Sequence, residues 1–281
     1  MDKCSLLALS YRSILDNFHR FTLTSHYLVS HLAFFPNFMA YCRRYFRFDS
    51  NILQREMEVL HFGDSGYPML LFPSSNGRFF DAEDRGLIAA LRQHLDMGWT
   101  QVFCVDSLDW ETLLAPELTL SDRRIRWLAL EQHWLKEFIP YVCDEAQNDF
   151  LVAAGCSLGA THALNMALRH PQIVRRCIAI AGSYNLSNLP GIAEFNREEA
   201  DRELYFINPI AYMENMSRER WLELGGANTD LKLLTTQHDR HLSAHLHLGQ
   251  IFDRNGITHH LEIWHGSSDW SIWQAQLAAF A

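Results

Sequence analysis

The chain has 281 residues, 48% hydrophobic and 20% charged, the balance of a soluble globular protein with enough apolar surface for one large domain or two small ones. Its formal net charge of -9 at pH 7 excludes the basic footprint that nucleic-acid phosphates require. The six cysteines follow no paired spacing, and Cys104, Cys156 and Cys177 fall in or beside apolar runs. They read as free thiols packed as small hydrophobes in a reducing compartment, the cytoplasm.

In chain order, the first fifty residues stand apart. Residues 21–42 contain no Asp, Glu, Lys or Arg and are dense in aromatics. Thr22, Thr24, His26, His31, Pro36 and Asn37 interrupt them, so they lack the clean apolar run of a membrane span. Only Lys3 resembles the basic start of a secretory signal. Residues 1–50 are expected to form an amphipathic helical extension, packed on the body or on a second copy in a homo-oligomer. A biological start at Met39 is the alternative.

From residue 51 onward, strands alternate with helices. Apolar or alternating runs at 58–62, 69–72, 102–105, 150–154, 177–181, 231–235 and 260–264 read as strands. Helical spacing predicts helices over 82–97, over 122–141 behind a Ser121 cap, over 160–168, and from Ser243 to a stop at Asn255-Gly256. This alternation predicts an α/β domain over 51–281, with a mainly parallel sheet covered by helices on both faces. Residues 183–230 are too many for a simple crossover and are expected to form a lid or wall over the carboxyl edge of the sheet.

The stretch Gly155-Cys156-Ser157-Leu158-Gly159 lies between an expected buried strand and an expected helix. A serine between glycines at such a turn is the pattern of a nucleophile elbow, where the tight bend admits only small flanking residues. Ser157 is therefore the candidate nucleophile. Oxyanion donors would be the backbone N–H of Leu158 and one from the loop Ser74-Ser75-Asn76-Gly77, with Ser75 as the best placed. Fifteen histidines raise the question of a metal, with pairs at His238/His241, His245/His247 and His259/His260. None shows the His-Glu-x-x-His spacing or cysteine partners, so no metal is expected. Nor is any other cofactor implied: there is no Gly-x-Gly-x-x-Gly and no Walker loop.

Together these motifs resemble the α/β-hydrolase superfamily, in its esterase D and antigen 85-like branch. The resemblance spans residues 58–280. It rests on the elbow, on Leu70-Leu71-Phe72-Pro73-Ser74-Ser75-Asn76-Gly77 and on Val105-Asp106-Ser107. Leu204-Tyr205-Phe206-Ile207-Asn208-Pro209-Ile210 and Asp269-Trp270-Ser271-Ile272-Trp273 complete it. It implies a serine hydrolase of small carboxylic esters or thioesters, or an acyltransferase of the same architecture. The acid position falls on Asp239, with Asp230 and Asp253 fitting less well. In the family the catalytic histidine directly precedes the Asp-Trp pair; here that position is Ser268. His265 is the nearest substitute on the same loop and His241 an outside candidate. A base-free descendant that binds without turnover is the competing expectation. Tyr184, Tyr205, Phe206, Trp264 and Trp270 are expected at the pocket rim.

Overall fold

The computed structural model describes residues 41–189 and 191–281. The chain divides into two units, Met1–Cys42 and Arg43–Ala281.

Its strands are β1 (Arg43–Ser50), β2 (Arg55–Phe62), β3 (Tyr67–Phe72), β4 (Thr100–Cys104), β5 (Leu151–Cys156), β6 (Val174–Ile180), β7 (Asp230–Thr236) and β8 (His259–Trp264). They form one sheet in the order β1-β2-β4-β3-β5-β6-β7-β8. β2 runs antiparallel to β1 and β4, and the remaining pairs are parallel. Central strands β4 and β5 are buried at every position, because helices cover both faces and leave no polar side.

β1 corrects the expected boundary at residue 50. Arg43–Ser50 is not helical extension but a strand of the sheet, alternating exposed Arg43, Tyr45 and Arg47 with half-buried Phe46 and Phe48. The helical expectation for the preceding residues lies outside the described residues.

The expected helix over 82–97 is instead three short turns, Asp81–Asp84, Leu87–Ala90 and Arg92–Asp96. Gly86 at φ 74° stops the first, since a left-handed residue cannot continue a right-handed helix. The helix expected over 122–141 is α1 (Leu120–His133), a π turn at Trp134–Phe138, then α2 (Ile139–Ala146). Its cap is Thr119, whose Oγ1 accepts from the Asp122 N–H at 3.2 Å, rather than Ser121. Pro140 opens α2 without an N–H to donate, which accounts for the break in the α ladder just before it.

Next come α3 (Leu158–Arg169), α4 (Arg197–Leu204), α5 (Pro209–Glu214), α6 (Arg218–Ala227), α7 (Leu242–Arg254) and α8 (Trp270–Phe280). The segment between β6 and β7 packs Leu186, Ile192, Leu204 and Ile207 against Leu158 and Trp127. It is therefore seated over the first turn of α3.

Two buried imidazoles are held neutral. Arg44 donates to His61 Nδ1 at 2.7 Å, so Nε2 carries the proton toward Gln101 at 3.0 Å. His245 Nε2 accepts from the Gly182 N–H at 3.3 Å while Nδ1 donates to the His241 carbonyl at 3.1 Å. Burial lowers both from 6.5 to about 4, with the Arg44 charge adding to the effect at His61. Between pH 6.5 and 4 the unfolded chain thus binds more protons, and stability falls with pH. The expected slope approaches about 2.7 kcal/mol per pH unit for two protons. Urea midpoints at pH 7, 6 and 5 measure it; His245→Gln should remove about half, and flat stability from pH 7 to 5 would contradict it.

Candidate active site

Ser157 stands between β5 and α3 at φ 56°, ψ -121°, a region that costs a non-glycine residue about 1–3 kcal/mol. Three bonds hold it there. Its N–H donates to Ile180 O at 2.9 Å, and its carbonyl accepts from Ala160 and Thr161 at 3.1 and 3.4 Å. The flanking glycines have a steric cause. A Cβ on Gly155 would lie 2.4 Å from the Gly159 carbonyl, and one on Gly159 would lie 2.3 Å from Pro73 O and 2.5 Å from Phe72 O. α3 therefore sits directly on the end of β3, where the loop 73–77 begins. Phe72 pairs with Gly155, so that loop and the elbow leave the sheet side by side. Leu158 opens α3, and its N–H has no acceptor within the helix. The partial positive end of α3 is likewise directed at whatever Ser157 meets.

Cys156 beside it is no rival nucleophile, because complete burial pushes its thiol pKa up and keeps it protonated.

Asp239 follows β7 and is 7% exposed. Its Oδ1 accepts from the His241 N–H at 2.7 Å and its Oδ2 from the Ser268 hydroxyl at 2.7 Å. Ser268 Oγ in turn accepts from Trp273 Nε1 at 3.0 Å. The structure thus joins Asp239 to Ser268. It does not join Asp239 to His265: that exposed side chain puts Nδ1 on Gln237 Oε1 at 3.0 Å. His241 turns its ring toward Arg240 at 3.0 Å. Among the described residues no imidazole is hydrogen-bonded to Ser157 Oγ or to the Asp239 carboxylate. Asp230 pairs with Arg176 and Lys232 at the opposite end of β7, away from the site.

The loop after β8 is braced by Asp269, which accepts from the Ser267 and Ser271 hydroxyls and caps α8 through the Ser271 and Ile272 N–H groups. The Ser267 hydroxyl, then that of Ser271, holds its carboxyl down at about 2.

Of the loop 74–77, two amides are committed: Gly77 N–H donates to Ser74 O at 2.8 Å, and Asn76 N–H to Asp109 Oδ2 at 3.1 Å. Asp109 was not legible as a site neighbour in the sequence, where it is a loop carboxylate among many. Trp273 stood in the closing Asp-Trp motif, but its bond to Ser268 was not readable from the string. Of the expected rim aromatics, Tyr184 is fully buried against His245, a core position rather than rim. Tyr205, Trp264 and Trp270 are half-buried and Phe206 is exposed. Of the paired histidines, His245 bonds to the backbone, His247 to Glu214, His259 to the Ile257 carbonyl and His260 to Glu262.

A strained serine at a strand-to-helix turn, on a sheet ordered β1-β2-β4-β3-β5-β6-β7-β8, defines an α/β-hydrolase. The profile of the family described as "Putative esterase" matches residues 126–280, more than half of the chain, and the chain belongs to that family. Serine-dependent hydrolysis of esters is the activity that membership carries.

Solved structures agree on the fold. A ferulic acid esterase superposes with a TM-score of 0.68 at 14% identity, covering 85% of this chain and 95% of the other. An S-formylglutathione hydrolase from Agrobacterium tumefaciens gives 0.64 at 12% identity over 87% and 94%. Another from Staphylococcus aureus gives 0.60 at 13% over 87% and 96%. No curated protein sequence matches the chain.

Proposed function

We propose that Ser157 is the nucleophile of a hydrolase of small carboxylic esters or thioesters, with the Leu158 and Ser75 N–H groups receiving the oxyanion. Asp239 is the acid member, and Ser268 occupies the position of the base. The observation that carries this is the strained Ser157 backbone at the carboxyl end of a central strand, since strain in a half-buried serine there is retained where it aims a reacting atom. The Ser157 oxygen attacks the acyl carbon and the oxyanion forms against the two amides. The leaving alkoxide or thiolate departs with the hydroxyl proton, and water then adds to the acyl-serine to release the acid. With Ser268 on Asp239, water must carry the proton in both halves, so both are slow.

A fluorophosphonate probe tests this. Wild type should label slowly at one site, Ser157→Ala should not label, and His265→Ala should label at the wild-type rate because its ring is held by Gln237. Failure of both the wild type and Ser268→His to label, while folded, would favour instead the base-free binding protein.

The free thiols support a cytoplasmic site of action, Cys104, Cys156 and Cys177 being buried and kept protonated. No helix among the described residues is long and apolar enough to cross a membrane. The charge-free residues 21–42 support self-association of the full chain, which sedimentation would read.

A further inference from the structure

We propose that Asp109 and His162, which are not part of the triad, are positioning residues that lock the oxyanion loop onto the elbow helix; this rests on the serine-hydrolase reading above. Both side chains are shut away from water, at 0% and 1% exposure. A buried carboxylate is costly unless its oxygens are filled, and here each oxygen has one specific donor. Oδ1 accepts from His162 Nε2 at 2.9 Å and Oδ2 from the Asn76 N–H at 3.1 Å. Trp127 fixes the direction of the first bond. Its indole N–H can only donate, and it points at His162 Nδ1 at 3.2 Å, so the imidazole proton must sit on Nε2, facing Asp109.

His162 lies on α3, five residues beyond Ser157, and Asn76 lies in the loop after β3. The bridge Asn76–Asp109–His162 therefore ties together the two segments that supply the oxyanion donors. Asn76 sits at φ 57°, the left-handed region that asparagine tolerates, with its N–H bonded to Asp109. With Asn76 N–H held by Asp109 and Gly77 N–H by Ser74 O, Ser75 is left as the loop amide directly preceding the pinned pair, with no partner among the described residues. Asp109 is itself held by two backbone bonds, its carbonyl accepting from Thr112 at 3.2 Å and Leu114 at 2.8 Å. Without the carboxylate the Asn76 N–H loses its anchor, and the Ser74-to-Gly77 turn, whose Ser74–Ser75 peptide carries the Ser75 N–H, can move as a unit away from the elbow.

Asp109→Asn keeps the volume but replaces one acceptor by an NH₂ group. Whichever way that amide turns, a donor faces a donor, because Trp127 prevents the imidazole from switching tautomer. His162→Leu removes the inner support, whereas His162→Gln can still donate to Asp109 and accept from Trp127.

The experiment reads fluorophosphonate labelling rates at Ser157 in wild type and in Ser268→His, each combined with Asp109→Asn, His162→Leu and His162→Gln. Loss of one oxyanion donor slows catalysis by about 10²–10³, so misorientation should slow labelling roughly tenfold to a hundredfold in the first two. His162→Gln should stay within roughly threefold of its parent, since both hydrogen bonds survive. With p-nitrophenyl acetate in the Ser268→His background, the loss should fall on kcat and leave KM unchanged. Amide hydrogen exchange at Asn76 should quicken in Asp109→Asn while the thermal midpoint and circular dichroism report a folded chain.

Equal labelling rates in a folded Asp109→Asn, or an unchanged Asn76 exchange rate, would overturn the proposal. So would equal losses in His162→Gln and His162→Leu, and those two variants carry the test should Asp109→Asn not fold. If neither parent labels, the hydrolase reading has failed. Asn76 exchange then decides the bridge separately.

Discussion

Replacing Ser268 by histidine should raise ester turnover by roughly a thousandfold or more, because loss of the histidine from a serine triad costs about a millionfold and the carboxylate it would bond is in place. The Ser268 hydroxyl already donates to Asp239 Oδ2 at 2.7 Å, which is the bond an imidazole N–H would make. Asp239 stays oriented without it, through the His241 amide on Oδ1. The loop can admit a larger side chain: Ser268 is only half-buried, and Gly266 at φ 106° has open space where a Cβ would stand. Labelling of Ser157 and hydrolysis of p-nitrophenyl acetate should rise together, and Asp239→Asn in the same background should reverse most of the gain. A folded Ser268→His protein no faster than wild type would mean that the Asp239 side of the site no longer faces Ser157.

The parts of this fold that were legible in the sequence are those where sterics leave few choices. Gly155 and Gly159 are forced by backbone atoms within 2.5 Å of any Cβ, so the elbow appears as a short string independent of its surroundings. The central strands were legible because burial on both faces leaves continuous apolar runs. β1 was not: its alternation is carried by half-buried aromatics next to an aromatic stretch, and its register with β2 is a property of the pair. The Asp109–His162 bridge joins residues 53 apart, and no local pattern marks either partner. Ser268 is an intermediate case. Its position relative to Asp269-Trp270 could be read only through resemblance, and its bond to Asp239 depends on β7 and β8 lying side by side.

Gly159→Ala should destabilise the protein by about 3 kcal/mol or more and slow Ser157 labelling in whatever remains folded. The new methyl would meet Pro73 O at 2.3 Å and Phe72 O at 2.5 Å. Both are main-chain atoms at the end of a central strand, so no rotamer change relieves the overlap. Either α3 lifts away from β3 or the end of β3 is pushed outward. The first opens the contacts that Leu158, Ala160 and Ala163 make in the core; the second displaces the loop that carries Ser75. Helix propensity works the other way, since alanine is the better helix former by about 1 kcal/mol, so the measured loss is net of that gain. Gly226→Ala separates the two effects. It lies near the end of α6 with nothing within 4 Å of its Cβ position, and should be neutral or slightly stabilising. Urea midpoints for the two variants measure the difference. Equal midpoints would mean that the close approach of α3 to β3, which brings the Pro73 loop beside Ser157, is not part of the folded protein.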